Sequence, residues 1–392
     1  MTSTRTVSPL TLSVAVVNCD VWPPGIRMRR MTLTRREAIG LLGAGVAWRA
    51  SLSGEPLRSA ESLALQPGPA PIIRTLLKDV APDTIDGPIL FHEHLSIHYP
   101  MTRALAEAAG RPVPVSFTDD VELMIEETKA AGVDGIRCIV DGGHPDMDRD
   151  LDALKRIAAG SGVHIVASGG FYMQRNYPAD IAAKSADQIA DDLVRDAKAQ
   201  RFGAFGEIGQ QGGVLTDDER KVFTAVGKAQ VRSGLPVFTH NAYSGVRVAN
   251  PPIPMDAALR QLDVLEAAGA DVRHLAIGHV CCLDDPKAEI AQQLAKRGVF
   301  VGFDRVGINA IIPDEKRVAM ILTLLDAGHA DHLLLSSDFS NGRALKQNGG
   351  PGIGLTVTQF VPMLTKAGVS AATLRHVLVD NPRRFLAVTP KT

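Results

Sequence analysis

Eight short apolar runs, each followed by an amphipathic helical stretch or a turn, leave this chain few ways to fold. The runs are Pro88 to His92, Gly135 to Val140, Val163 to Ser168, Ala204 to Ile208, Pro236 to Thr239, His274 to Ile277, Val299 to Phe303 and His332 to Ser336. Near-continuous apolar character suits strands buried on both faces, as in a parallel sheet covered by helices. Helical patterns lie between them, for example over 120–131, 187–199, 217–233, 255–268, 286–296 and 314–327. In the first, Val121, Met124, Ile125 and Thr128 share one face at helical spacing. Asp217, Asp218 and Glu219 place acids at a helix start, where the helix dipole favours them. Ala131-Gly132, Ser233-Gly234 and Arg297-Gly298 read as helix ends leading into the next strand. Eight β/α units over roughly 300 residues predict an α/β fold of the TIM (β/α)8 type. A doubly wound open sheet is the competing architecture, and the absence of a Gly-rich loop after the first strand counts against it.

In such a barrel, residues at the C-terminal ends of the strands meet on one rim. The first strand ends in Phe91-His92-Glu93-His94-Leu95. His92 and His94, two apart on a strand, face the same way, and Glu93 faces the other, as a structural partner. The fourth strand ends in Glu207, the fifth in His240, the sixth in His279 and the eighth in Asp338. Singly, a strand-end histidine is more often a hydrogen-bonded structural group. Four histidines and two carboxylates on one rim suit two divalent ions that share a bridging carboxylate. Zinc is the default for such a set, with manganese, cobalt and iron also fitting. The remaining histidines, 98, 144, 164, 274, 329, 332 and 376, read as structural or surface groups, and only His98 is near enough in sequence to be a pocket candidate.

The 392 residues carry a formal net charge of -1, which gives no electrostatic basis for nucleic-acid binding. Aromatic residues make up 5%, too few for a base-stacking platform. Cys19, Cys138, Cys281 and Cys282 do not form a disulfide framework and read as buried thiols. Near the N-terminus, Arg35-Arg36 precedes the short Gly/Ala-rich run from Ala38 to Trp48, the form of a twin-arginine export signal. A short amphipathic helix is the bland alternative. The expected organisation is a signal region over 1–50, starting at Met28 or Met31, a Pro-rich linker over 51–71, and the barrel over 72–392. The twin-arginine pattern leads us to expect a periplasmic or otherwise exported protein, and no segment beyond residue 50 is long and apolar enough to span a membrane.

From about Leu76 to Leu386 the chain resembles the phosphotriesterase family of the amidohydrolase superfamily. The resemblance rests on His92-Glu93-His94-Leu95, Gly206-Glu207-Ile208-Gly209, Thr239-His240, Ile277-Gly278-His279, Gly302-Phe303-Asp304, Ser337-Asp338-Phe339 and Asn381-Pro382-Arg383. It implies that His92, His94 and Asp338 hold the more buried metal ion and His240 and His279 the more exposed one. Many members bridge the ions with a carboxylated lysine. Glu207 takes that position here, as in the phosphotriesterase homology and phosphotriesterase-related proteins. The implied chemistry is hydrolysis by a hydroxide shared between the ions, with Asp338 as the catalytic proton carrier.

Two departures bear on substrate. Classical members have a histidine and an aspartate, forming a proton relay, where this chain has Arg305 and Cys282. The stretch from Asp304 to Gly307 resembles the seventh loop of the lactonase members. Arg305 reads either as a contact to a substrate carboxylate or carbonyl, or as a partner of a rim carboxylate such as Asp304. Tyr172 reads either as a pocket wall that hydrogen-bonds substrate or as a packing residue. The expected function is hydrolysis of a carboxylic ester, lactone or amide. The alternatives are a phosphoric triester or diester hydrolase, and an exported metal-containing binding protein. Expected partners are a small-molecule substrate and the twin-arginine export machinery, with no nucleic acid, and a homodimer is among the assemblies open to it.

Overall fold

The computed structural model describes residues 70–98, 106–245, 252–389 and 391. The expected export signal and nearly all of the expected linker lie outside the described residues. Among the described residues no helix is long and apolar enough to cross a membrane.

Eight parallel strands run in sequence order round one sheet. They are β1 (Ile89–Glu93), β2 (Cys138–Asp141), β3 (His164–Gly169), β4 (Ala204–Gly209), β5 (Val237–His240), β6 (Leu275–Ile277), β7 (Phe300–Phe303) and β8 (Leu333–Leu335). Each falls within a residue or a few of the apolar run that predicts it. Closure between β8 and β1 is made just past the strand ends. Asp338 N donates to His92 O at 3.3 Å, His94 N to Phe339 O at 3.2 Å, and His92 N to Ser336 Oγ at 3.0 Å. The seam of the barrel therefore runs through the histidine pair. A short antiparallel ribbon, Ile73–Arg74 with Asp79–Val80, precedes the barrel.

The interior of the barrel is filled by Phe91, Val140, Val166, Phe238, Ala276 and Leu334, with Phe385 and Leu386 of the last helix in the same cluster. Phe91 meets Phe238 and Phe385 edge-on, at 6.2 and 6.3 Å between ring centroids. A larger apolar layer lies between the sheet and the helices. Each large side chain fully buried there contributes about 1.5–3 kcal/mol.

The surrounding helices are α1 (Val121–Val133), α2 (Leu151–Ser161), α3 (Ala186–Gln200), α4 (Asp217–Ser233), α5 (Ala257–Ala267), α6 (Glu289–Lys296) and α7 (Asp314–Asp326), followed by shorter helical segments to Leu386. Capping boxes start α3 (Ser185 with Gln188) and α4 (Thr216 with Glu219). Two sequence expectations shift. Gly132 lies inside α1, and the positive φ of +103° falls instead on Gly135. The helix expected from Pro286 begins at Glu289, because Ala288 takes a left-handed φ of +50°. Helix α2, not among the patterns singled out from sequence, buries Ala153, Leu154, Ile157 and Ala158 behind an Asp150 cap.

Candidate binuclear metal centre

All six rim residues read from the sequence come together, and all are buried. His92 is next to last in β1 with His94 just beyond the strand, Glu207 lies within β4, and His240 ends β5. His279 and Asp338 follow β6 and β8 in left-handed backbone, at φ +57° and +51°. Holding a residue with a side chain there costs on the order of 1–3 kcal/mol, and such strain concentrates at functional sites. Gly278 before His279 is required by close approach. A Cβ there would lie 2.0 Å from Thr239 O and 2.8 Å from Asp304 Oδ2.

The ligand atoms form two groups that share Glu207. In the first, His94 Nε2 lies 3.3 Å from Glu207 Oε1 and 3.2 Å from Asp338 Oδ1, and His92 Nε2 lies 3.3 Å from Glu207 Oε2. In the second, Glu207 Oε2 lies 2.7 Å from His240 Nδ1 and 3.4 Å from His279 Nε2. His279 Nε2 and His240 Nδ1 are 2.9 Å apart. Two imidazole nitrogens at that distance either share one proton or turn both lone pairs to a common cation. The structure also leaves His92 Nε2 buried without a hydrogen-bond partner. Gly142 lines the same spot, where a Cβ would press on both His92 and His94 at 3.1 Å. A buried orphan nitrogen, convergent carboxylates and a wall kept free of side chain fit a pair of divalent ions.

The charge balance points the same way. Burial disfavours charge on His94, but the Asp338 and Glu207 carboxylates outweigh it and push the imidazole up to about 9. For His279 burial is likewise outweighed by Asp304 and Glu207, to about 9, and His92 is raised against its burial chiefly by Glu207. Glu207 is held well below the carboxylate range despite burial, by His240 and His92. Only His240 goes down, to about 4, because burial dominates. Without an ion, protons on three imidazoles supply the positive charge that the carboxylates demand.

The sequence offered Asp304 only as a partner for Arg305, yet it is the group that organises this cluster. Asp304, fully buried after β7, takes His92 Nδ1 at 2.8 Å on one oxygen and His279 Nδ1 at 3.1 Å on the other, and accepts from His279 N at 2.7 Å. It fixes the Nδ1–H tautomer of both rings and leaves both Nε2 atoms directed at Glu207. His144, read as structural or surface, is buried beneath the centre, with Nε2 3.0 Å from Glu207 O and Nδ1 against Asp146. His98 is no part of the cluster. It sits half-buried against Asp119 and Asp148 O. Glu93 points away from the ligands and accepts from Ser337 N, Ser337 Oγ and Phe339 N.

Of the substrate candidates, Arg305 pairs with Asp338, Nε to Oδ2 at 3.1 Å, rather than with its neighbour Asp304, whose oxygens the histidines occupy. Its backbone N–H is held by Cys281 Sγ at 3.3 Å. Tyr172 packs edge-on against the His240 ring, and its hydroxyl lies 3.4 Å from His240 Nε2. Both residues line a cavity of about 360 Å³ beside His240. Cys282 is a fully buried thiol.

Residues 74–386 match the model of the phosphotriesterase family. The chain is 30% identical over 306 residues to the phosphotriesterase homology protein of Escherichia coli (strain K12), covering 76% of this chain and 97% of that one. It is 28% identical to the N-acetyltaurine hydrolase of Bos taurus, covering 80% and 97%. The crystal structure of the Escherichia coli phosphotriesterase homology protein, complexed with phosphate in its active site, superimposes with a TM-score of 0.68 at 28% identity, over 77% of this chain and 99% of that one. With the barrel, the buried donor cluster and a match spanning nearly all of the described residues, the chain belongs to the phosphotriesterase family and is an enzyme of that family.

Proposed function

We propose that this enzyme is a metal-dependent hydrolase that cleaves a carboxylic ester, lactone or amide. The observation that carries the reading is the sharing of Glu207 between two donor groups, His92, His94 and Asp338 on one side and His240 and His279 on the other. When bound there, two divalent ions, zinc by default, would polarise the carbonyl of the substrate and acidify a water. Asp338 is the proton carrier. One of its oxygens faces His94 and the other the Arg305 guanidinium, so its carboxylate stays ionised at neutral pH, ready to accept a proton from the attacking water and deliver it to the leaving group. Arg305 holds Asp338 in that orientation from the wall of the cavity, and Ser244 Oγ at 3.0 Å, with Tyr172 OH at 3.4 Å, fixes the outer nitrogen of His240.

The amide arm of this reading is supported by the resemblance to N-acetyltaurine hydrolases. A phosphoric ester is the second reading, favoured by the phosphate in the active site of the related Escherichia coli structure. The buried Cys282 thiol, where classical members have a relay acid, speaks against efficient triester turnover. We also propose export through the twin-arginine route, testable with residues 1–71 fused to a reporter.

Metal analysis and a substrate panel on metal-reconstituted protein decide the matter. Two ions per chain, with lactone, ester or amide hydrolysis ahead of phosphoester hydrolysis, is expected. Fewer than two ions, or no hydrolysis of any of these, overturns the proposal and leaves a metal-containing binding protein.

A further inference from the structure

Two arginines line the cavity beside His240 among the described residues, Arg305 and Arg175. They differ in what balances them. Arg305 is committed to Asp338. Arg175, in the Gln174–Asn176 turn beyond β3, is exposed, and among the described residues no carboxylate pairs with it. The nearby acids are engaged elsewhere, Asp218 with Lys221 at 2.9 Å and Asp146 with His144. The turn itself is pinned on both sides. Gln174 Nε2 donates to Asp218 Oδ2 at 3.2 Å, and Asn176 Nδ2 to Asp146 O at 3.3 Å. A guanidinium without an acid, on an anchored turn at a small cavity, is suited to bidentate capture of a planar or tetrahedral oxyanion. The other polar residues that line the cavity, Tyr172, Gln210, Gln211, His240 and Ser244, include no carboxylate, so among the described residues none on the wall repels an anion. At about 360 Å³ the cavity is at the small end of ligand sites.

Resting on the hydrolase reading above, we propose that the substrate carries a carboxylate or sulfonate on its leaving-group side, and that Arg175 is the specificity-determining residue that seats this anion. The scissile carbonyl then lies toward His240 and Arg305, and the anionic end toward the turn beyond β3. Because Arg175 is exposed and bonds no metal ligand, its replacement leaves the donor cluster and the fold intact.

The test compares metal-loaded wild type with Arg175→Gln on N-acetyl-β-alanine, N-acetyltaurine and the neutral N-propylacetamide, which share an acyl group and differ at the far end. Wild type is expected to favour the two anions. Arg175→Gln should lower kcat/KM for them by about tenfold, mostly through KM, and leave the neutral amide unchanged. Added salt should erode the preference for the anions in wild type alone. The ratio between the first two compounds identifies carboxylate or sulfonate as the recognised group. Equal turnover of the neutral amide, or an equal loss on all three in Arg175→Gln, overturns the assignment. If no ester, lactone or amide in the wider panel is hydrolysed, the hydrolase reading fails by itself. Calorimetric binding of N-acetyl-β-alanine to the same two proteins then decides the role of Arg175. A tenfold weaker affinity in Arg175→Gln sustains it, and an unchanged affinity overturns it.

Discussion

Glu93 grips the backbone on both sides of Asp338. Its carboxylate accepts from Ser337 N at 2.9 Å and Phe339 N at 2.7 Å, with Ser337 Oγ as a third donor, and Asp338 between them is held at a left-handed φ of +51°. A residue that faces away from the two histidines beside it thus sets the angle of a ligand from the far side of the barrel seam.

Glu93→Gln should therefore damage the centre without touching a ligand. An amide has one acceptor oxygen where the carboxylate has two, and its NH2 must face one of the backbone donors, leaving a buried N–H unmatched at about 1–3 kcal/mol. The affinity for the ion on the His92, His94 and Asp338 side should fall by about 10–100-fold, as measured by chelator competition. Wild-type affinity in the variant would show that Asp338 is positioned by something else.

Asp304→Asn makes a different prediction, because Asp304 serves both ion sites. An asparagine can accept from only one of the two Nδ1–H groups and offers an NH2 to the other, which drives that ring to the wrong tautomer. Affinity should fall at both sites together, by roughly 10–100-fold each. Glu207→Ala should instead empty the His240 and His279 site first, since that group has no other carboxylate. Metal stoichiometry and competition titration on the two variants separate the patterns, and full two-ion occupancy in Glu207→Ala would contradict a bridging role.

The strands were legible because burial on both faces demands unbroken apolar runs, and a one-residue error in a run shifts a boundary without changing the fold. The ligands were legible because histidine and acid at strand ends are few and fall on one rim. Asp304 was not, because one aspartate after a strand looks like any other until the two Nδ1 atoms it serves are located. His98 misled through its closeness in sequence. Its N–H bonds Met147 O at 3.0 Å and its ring turns to Asp119, away from the centre. Arg305 was left with two readings, since no local pattern tells whether the carboxylate it meets is its neighbour or one a strand away.

Proton linkage gives a third prediction. In the ion-free protein His94 and His279 sit at about 9, above the 6.5 of an unperturbed imidazole. Groups raised on folding stabilise the fold fully below the unfolded value, and that contribution is lost as pH rises through the folded value. The ion-free protein should therefore lose stability between pH 6.5 and 9. Ion binding needs neutral imidazoles, so loading at pH 7 should release roughly three protons, those of His92, His94 and His279, and affinity should climb over the same interval. Calorimetry in buffers of different ionisation heat counts the protons, and thermal melts of ion-free protein at the two pH values check the sign. Loading without proton release would refute the linkage.

The last prediction concerns the scaffold behind Arg305. Arg317, with no exposed surface, bonds Asp314 Oδ1 at 2.6 Å, Cys281 O at 3.3 Å and Ile308 O at 3.1 Å. Asp314 in turn accepts from Gly307 N at 3.0 Å on each oxygen. This one side chain ties the loop after β6 to the loop after β7, on either side of the backbone that carries Arg305. Arg317→Met leaves Asp314 as a buried acid without its cation, which should destabilise the fold by about 3–5 kcal/mol in denaturant unfolding. Adding Asp314→Leu removes the stranded charge and should recover part of that loss, although Gly307 N then lacks its acceptor. If the single variant were as stable as wild type, the pair would be a contact of convenience and the seventh loop would be held by its backbone alone.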